Sequence, residues 1–214
     1  MPYQPTPNNE KDHMLHEKWM EYVSQANPNV RIKDMLIPAT HDVGTYGISK
    51  KDFFYFSAQT QRLSIFDQLR VGSRNMDLRY GGSGPNDSDV NIFHGPYKGP
   101  TMEDAFQQIV NFVSQNNKEF VMVTLQKERA ISNGQKAFLM GLIQKYLTPL
   151  SITSQVESWF SPDTVTLGQV TSSNKRLFVL GDNALLLVSG DHNTPDTTDY
   201  RSEEHTSELQ SLRH

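Results

Sequence analysis

The sequence predicts an α/β protein of the TIM-type (β/α) barrel class, distorted and incomplete. Two observations carry the class. Short β-rich apolar runs alternate with amphipathic stretches of about 10–15 residues, the pattern of a parallel sheet with right-handed helical crossovers. Three of the runs deliver residues capable of chemistry: Leu36–Thr40 leads into His41-Asp42, Asn75–Tyr80 carries Asp77 and Arg79, and Val90–Phe93 leads into His94-Gly95. Reactive groups at the C-terminal ends of parallel strands are what a β/α barrel displays. A third observation marks the barrel as incomplete. The strands described below number fewer than the eight of a closed barrel, and the 214 residues fall short of the ~250 typical of one.

The elements follow in order. Residues 1–10 are polar and proline-rich, a lead-in. His13–Ser24 places Met14, Leu15, Trp19 and Val23 at helical spacing, a helix suited to plugging the bottom of the barrel. Asn27-Pro28-Asn29 ends it. Arg31–Ile37 reads as a strand leading to His41, and Gly44 and Gly47 loosen the loop beyond. Phe53, Phe54, Tyr55 and Phe56 suit either a lip at an apolar–aqueous boundary or packing beneath the loop. Thr60–Leu69 is helical, with Leu63, Phe66 and Leu69 on one side and Gly72 as its stop.

Asn75–Tyr80 is a strand whose period of two puts Asp77 and Arg79 on one face. Gly81–Asp89 carries every turn signal, and Val90–Phe93 is the next strand. Thr101 N-caps a helix through Phe106, Ile109, Val110 and Val113, with Asp104 at its third position. Glu119–Leu125 is the clearest strand, and its extension sets Gln126 and Glu128 on one face. Gln135–Tyr146 is a helix stopped by Thr148-Pro149. Leu177–Leu180 and Ala184–Val188 complete the strands.

Arg201–Ser211 has no fold logic and reads as an in-frame translation of a common sequencing adapter. The expectation is that native sequence ends near Tyr200 and that the gene continues. The chain then divides into a lead-in and helix over 1–30, a partial barrel domain over 31–200 and a non-native tail over 201–214.

A hydrophobic content of 36% and a charged content of 21% fit one globular domain with a sizeable core. The net charge of −4 gives nucleic-acid binding no electrostatic support. The absence of cysteine excludes disulfide and thiolate chemistry. Met1–Lys11 lacks the apolar core of a secretory leader, and no apolar run approaches the length of a membrane span. Contact with a membrane surface stays open, the compartment is not assigned, and a monomer is expected.

Two histidines at separate strand ends suit general acid–base catalysis, one taking a proton from a nucleophile and the other giving one to a leaving group. An arginine between them offers a planar fork for a phosphoryl oxygen. Phosphoryl transfer needs mainly positioning and charge stabilisation, so these parts suffice without a cofactor. For each histidine taken singly a structural role is the ordinary alternative, and for Asp77 and Arg79 it is a salt bridge at the barrel mouth. His13 and His16 fall on the first helix as solvated residues, and His192 sits in a polar loop.

Four blocks in order, IPATHDVGTY, QLRVGSRNMDLR, FHGP and NNKEFVMVTLQKE, resemble the X region of phosphatidylinositol-specific phospholipase C over about residues 30–130. The resemblance implies a distorted TIM barrel. It implies that His41 is the general base toward the inositol 2-hydroxyl, that Arg79 stabilises phosphoryl charge, and that His94 is the general acid helped by Asp42. Asp77 would orient groups around the base and the arginine, and Glu128 and Gln126 would contact substrate. The implied reaction is an intramolecular phosphotransfer giving diacylglycerol and a cyclic inositol phosphate, on a phospholipid at a membrane surface.

Asp77-Leu78-Arg79 resembles the style in which an arginine stands where other members hold calcium, so no metal is expected. The chain departs from the family where Gln126 replaces a frequent lysine, where no basic residue lies near Gly181-Asp182, and where the carboxylate partner of the base histidine falls beyond its end. Two alternatives remain. One is a non-catalytic lipid-headgroup module. The other is a metal-dependent glycerophosphodiesterase or sphingomyelinase-D-like barrel, whose usual Glu-x-Asp pair is absent here.

Overall fold

A computed structural model describes residues 16–51, 55–152 and 163–181. The chain divides into a compact unit, Met1–Leu180, and a second, Gly181–His214, of which only Gly181 lies among those residues. The expected strand at 184–188, His13, His192 and the tail from Arg201 lie outside them.

The first unit is built on a mixed sheet. Its strands are β1 (Ala39–Thr40), β2 (Asn75–Gly82), β3 (Val90–His94), β4 (Tyr97–Thr101), β5 (Val121–Lys127) and β6 (Leu177–Gly181). They run in the order β4-β3-β2-β5-β6, with β1 beside β2. The sheet does not close into a barrel among the described residues. β2 pairs in parallel with β5 over six positions, from Asn75 opposite Met122 to Tyr80 opposite Lys127. Met76, Leu78 and Tyr80 are buried on one face with Val123 and Leu125. On the other, Asn75, Asp77 and Arg79 lie half-buried beside Met122, Thr124 and Gln126.

The expectation of an all-parallel sheet is corrected at β3, which pairs antiparallel with β2. The link from Gly82 to Val90 is too short for a parallel crossover, which takes a dozen or more residues, so the chain must return as a hairpin. A further antiparallel strand, β4, was not expected from the sequence. The Arg31–Ile37 strand is also corrected. Arg31 makes an isolated antiparallel bridge to Thr166, Ile32–Asp34 form a 3₁₀ turn, Leu36 is 98% exposed, and ladder pairing begins at Ala39. The apolar run lacks a neighbouring strand over most of its length, and β character requires such a neighbour.

The helices are α1 (Trp19–Ala26), α2 (Tyr55–Ala58), α3 (Ile65–Arg70), α4 (Met102–Gln115), α5 (Asn133–Leu142) and α6 (Leu167–Ser172). Thr101 caps α4 by accepting from the Asp104 N–H, and Met102, Phe106, Ile109, Phe112 and Val113 form its buried stripe. Ser132 and Gln135 form a reciprocal capping box on α5. The Gln135 amide also donates to the carbonyls of Gly84, Asn86 and Asp89, which pins the β2–β3 loop to that helix. The Gln135–Tyr146 helix is split, with a π turn from Ile143 to Leu147 beyond α5. α6 carries a Thr166/Gln169 capping box that the sequence reading passed over.

Met20 of α1 packs with Ile32, Phe120, Ile152, Val165, Leu167 and Val170, beside the start of β5. Beneath it lies a fully buried ion pair. Arg74 donates to Glu119 Oε2 from Nε at 2.9 Å and Nη2 at 2.7 Å, and stacks over Phe112. Glu119 also accepts from the Glu21 and Met20 amides, capping the first turn of α1. Burial pushes the Glu119 carboxyl up and the Arg74 guanidinium down, each toward its neutral form and against the pull of its partner. This pair ties α1 to the N-terminal ends of β2 and β5, at the opposite end of those strands from the site described next.

Candidate active site

One edge of β2 is shared between two strands. β1 pairs with its start, at Asn75 and Met76, and β3 with its end, at Tyr80 to Gly82. Between them β1 leaves the sheet after Thr40, and the chain turns sharply at Asp42. That residue has φ 52° and is 1% exposed. Aspartate tolerates the left-handed region better than most residues, and such conformations gather at functional sites. The turn lays His41 and Asp42 over the half-buried face of β2. The Asp42 N–H donates to Asp77 Oδ2 at 3.3 Å, which fixes the approach.

Five of the seven residues singled out in the sequence form one connected cluster. Arg79 Nε lies 3.0 Å from Asp77 Oδ2 and 3.1 Å from Asp42 Oδ1. His41 sets Nδ1 3.0 Å from Asp77 Oδ2 and Nε2 3.1 Å from Asp42 Oδ2. His94, at the end of β3, sets Nε2 3.5 Å from Asp42 Oδ2. Asp42 is therefore approached by three groups that bear or accept positive charge, although neither of its buried carboxylate oxygens accepts a well-aligned hydrogen bond among the described residues. Asp77 Oδ1 is buried and accepts no hydrogen bond among the described residues.

Glu128 stands at the rim. Its Oε2 lies 3.8 Å from Arg79 Nη1, and its Oε1 accepts from the Gly95 N–H. Gln126 lies opposite Arg79 in the β2–β5 register, on the same face. His41 is 65% exposed and His94 31%, so both can meet a ligand. Phe56 on α2 is 68% exposed, which favours a lip over packing at that position; Phe53 and Phe54 lie outside the described residues. No helix among the described residues is long and apolar enough to cross a membrane.

His41, Asp42 and Asp77 could present three ligand atoms to a cation. The set fits calcium poorly, because that ion takes six to eight oxygens and one of these donors is an imidazole nitrogen. The Arg79 guanidinium also already lies against both carboxylates, where a divalent ion would have to sit.

The sequence reading missed the groups that hold the cluster. His94 Nδ1 lies 2.9 Å from the carbonyl of Ala58, and the Gln61 amide donates to the carbonyl of His41. Thr45, three residues after Asp42, bonds back to the Asp42 carbonyl. That spacing is a local signal, since threonine commonly bonds a carbonyl three residues back. The Ala58 carbonyl leaves no mark in the sequence.

No protein-family model matches the chain. It is 26% identical over 178 residues to PI-PLC X domain-containing protein 1 of Danio rerio, covering 70% of this chain and 58% of that protein. It is 27% identical over 138 residues to 1-phosphatidylinositol phosphodiesterase of Listeria monocytogenes, covering 64% and 41%. Among solved structures it matches the phosphatidylinositol-specific phospholipase C of Listeria monocytogenes with a TM-score of 0.59 at 23% identity, over 78% of this chain and 57% of that one. A variant of the Staphylococcus aureus enzyme follows with a TM-score of 0.55 at 19% identity, over 78% and 52%. The chain thus spans about half the length of these relatives. In sequence and in fold it is similar to phosphatidylinositol-specific phospholipases C.

Proposed function

We propose that the chain carries the site of a phosphoric diester hydrolase of the phosphatidylinositol phospholipase C type. The observation that carries this reading is the convergence of His41, Arg79 and His94 on the single buried carboxylate of Asp42. The ends of β1 and β3 and the interior of β2 supply a base, an acid and a charge-stabilising fork, and both histidines are open to solvent. The likeness to the Listeria monocytogenes phosphodiesterase, in sequence and fold, supports the same chemistry.

In this reading the substrate is an inositol phospholipid at a membrane surface. His41 takes the proton of the inositol 2-hydroxyl, and that oxygen attacks phosphorus. The bond from phosphorus to the diacylglycerol oxygen breaks, and His94 gives that oxygen a proton. The products are diacylglycerol and a cyclic inositol phosphate, and water later opens the ring with the two histidines exchanging roles. Arg79 faces the non-bridging oxygens as charge gathers on them. Asp77 and Asp42 hold the guanidinium in place, and an imidazolium formed on His41 has a carboxylate at each nitrogen. Gln126 and Glu128 flank Arg79 as headgroup contacts. Exposed Phe56 suits the lipid boundary.

The test uses the protein expressed with whatever coding sequence surrounds this chain in its gene. It is incubated with phosphatidylinositol vesicles in EDTA, and products are followed by phosphorus NMR. A cyclic inositol phosphate is expected. Turnover only after calcium or magnesium is restored would overturn the arginine-for-metal reading and favour the metal-dependent barrel. Vesicle binding without product under either condition would favour a non-catalytic headgroup module.

A further inference from the structure

We propose that Thr45 is a positioning residue whose hydroxyl sets the orientation of both histidines. The inference rests on the reading of the site given above. Thr45 is 2% exposed, and its Oγ1 meets three partners. It bonds the Asp42 carbonyl at 3.0 Å, the Gln61 N–H at 2.9 Å and the Thr60 hydroxyl at 2.8 Å. A hydroxyl has one proton and two lone pairs. The Asp42 carbonyl can only accept and the Gln61 N–H can only donate, so Thr60 must supply the third proton and every capacity of Oγ1 is used. The hydroxyl thereby ties the turn carrying His41-Asp42 to the segment that follows α2.

Between the end of α2 and Gln61 the chain reaches both histidines, His94 at its ring and His41 at its backbone carbonyl. The Gln61 side chain donates to the His41 carbonyl at 3.0 Å, and the Ala58 carbonyl lies 2.9 Å from His94 Nδ1. A carbonyl can only accept, so it holds the proton of His94 on Nδ1. Nε2 is then the nitrogen turned toward Asp42 and the substrate, at 3.5 Å from Oδ2, and once that nitrogen is protonated as well its N–H is the one given to the leaving oxygen. Without the Thr45 hydroxyl, the Asp42 carbonyl loses its donor and the Gln61 N–H its acceptor in a buried place. The Ala58 carbonyl then no longer has a fixed position relative to Asp42, and the His94 ring loses its preferred tautomer.

The test compares Thr45→Val, which keeps the shape, with Thr45→Ser, which keeps the hydroxyl. The first readout is long-range proton–nitrogen NMR of the imidazole rings, with His94 assigned against His94→Ala. The protein and Thr45→Ser should both show His94 protonated at Nδ1, while Thr45→Val should show mixed tautomers. The second is turnover of phosphatidylinositol. Thr45→Val should lower kcat by about 10²-fold with KM nearly unchanged, the loss expected from misplacing a catalytic group by about 1 Å. Thr45→Ser should restore kcat to within about threefold. Thr60→Val, at an exposed position, removes one of the three bonds and should move both readouts the same way by less, which keeps the test decisive if Thr45→Val does not fold. Unchanged His94 signals and unchanged kcat in Thr45→Val, or in Thr60→Val where Thr45→Val does not fold, would overturn the proposal. Absence of turnover in the unaltered protein would count against the reading of the site, and the NMR comparison would still decide the role of Thr45.

Discussion

In the proposed reaction Asp42 is the residue that matters most, because one buried carboxylate faces His41, Arg79 and His94 together. Replacing it with asparagine keeps the shape and the left-handed turn, since asparagine also tolerates that region. It removes the charge that holds three groups. Asp42→Asn should therefore lower kcat by about 10²-fold or more, as loss of a positioned electrostatic partner does, with the fold intact by circular dichroism. Arg79→Lys should cost a similar factor, because the Nε that lies 3.0 and 3.1 Å from two carboxylates has no counterpart in an ammonium. Steady-state kinetics on phosphatidylinositol check both, and near-normal rates would contradict the assigned roles. These side chains were visible in the sequence because alternation along a strand puts Asp77 and Arg79 on one face. The carbonyl of Ala58 was not, because a backbone acceptor has no residue type to betray it.

Strand pairing and close packing decide whether those residues meet. The 3₁₀ turn after Asp42 lies so tightly on β3 that a Cβ on Gly44 would fall 2.5 Å from Ile92 Cδ1. Gly44→Ala must push the turn off β3 and with it Asp42 away from His94, so stability should fall by about 1–3 kcal/mol, as overpacking does. Urea denaturation measures it, and turnover should fall more than the fraction unfolded explains. At the other end of the strands, Arg74→Met leaves Glu119 buried without its counter-ion and should cost about 3–5 kcal/mol; Arg74→Met with Glu119→Gln should recover part of that loss. A double-mutant cycle reads the coupling directly, and additive effects would contradict it. Element positions were largely legible from period and caps, as at Thr101 and α4. Strand direction at β3 was legible too, from the shortness of the loop, but the run of three apparent strand ends suggested a uniform parallel sheet. Leu36 shows the limit, since an apolar run becomes a strand only when another strand lies beside it.

At the scale of the molecule, the described residues place their candidate site on one face of a mixed sheet. The sheet is open among the described residues, and the face carrying Asn75, Asp77 and Arg79 with Thr124 and Gln126 remains half-buried. The His41–Asp42–Asp77–Arg79–His94 cluster lies toward the C-terminal half of β2 and the buried Arg74–Glu119 clasp at its N-terminal end, so the proposed chemistry and a main source of stability are kept apart. The proposed division of labour between the two histidines makes opposite demands on the leaving group. Turnover is measured for the protein, His41→Ala and His94→Ala on phosphatidylinositol and on an inositol phosphodiester with an aryl leaving group, which departs without a proton. On phosphatidylinositol each variant should lose about 10²–10⁴-fold. On the aryl ester His94→Ala should regain most of its rate and His41→Ala should not. Equal losses in His94→Ala on both substrates, or recovery in His41→Ala instead, would contradict the account.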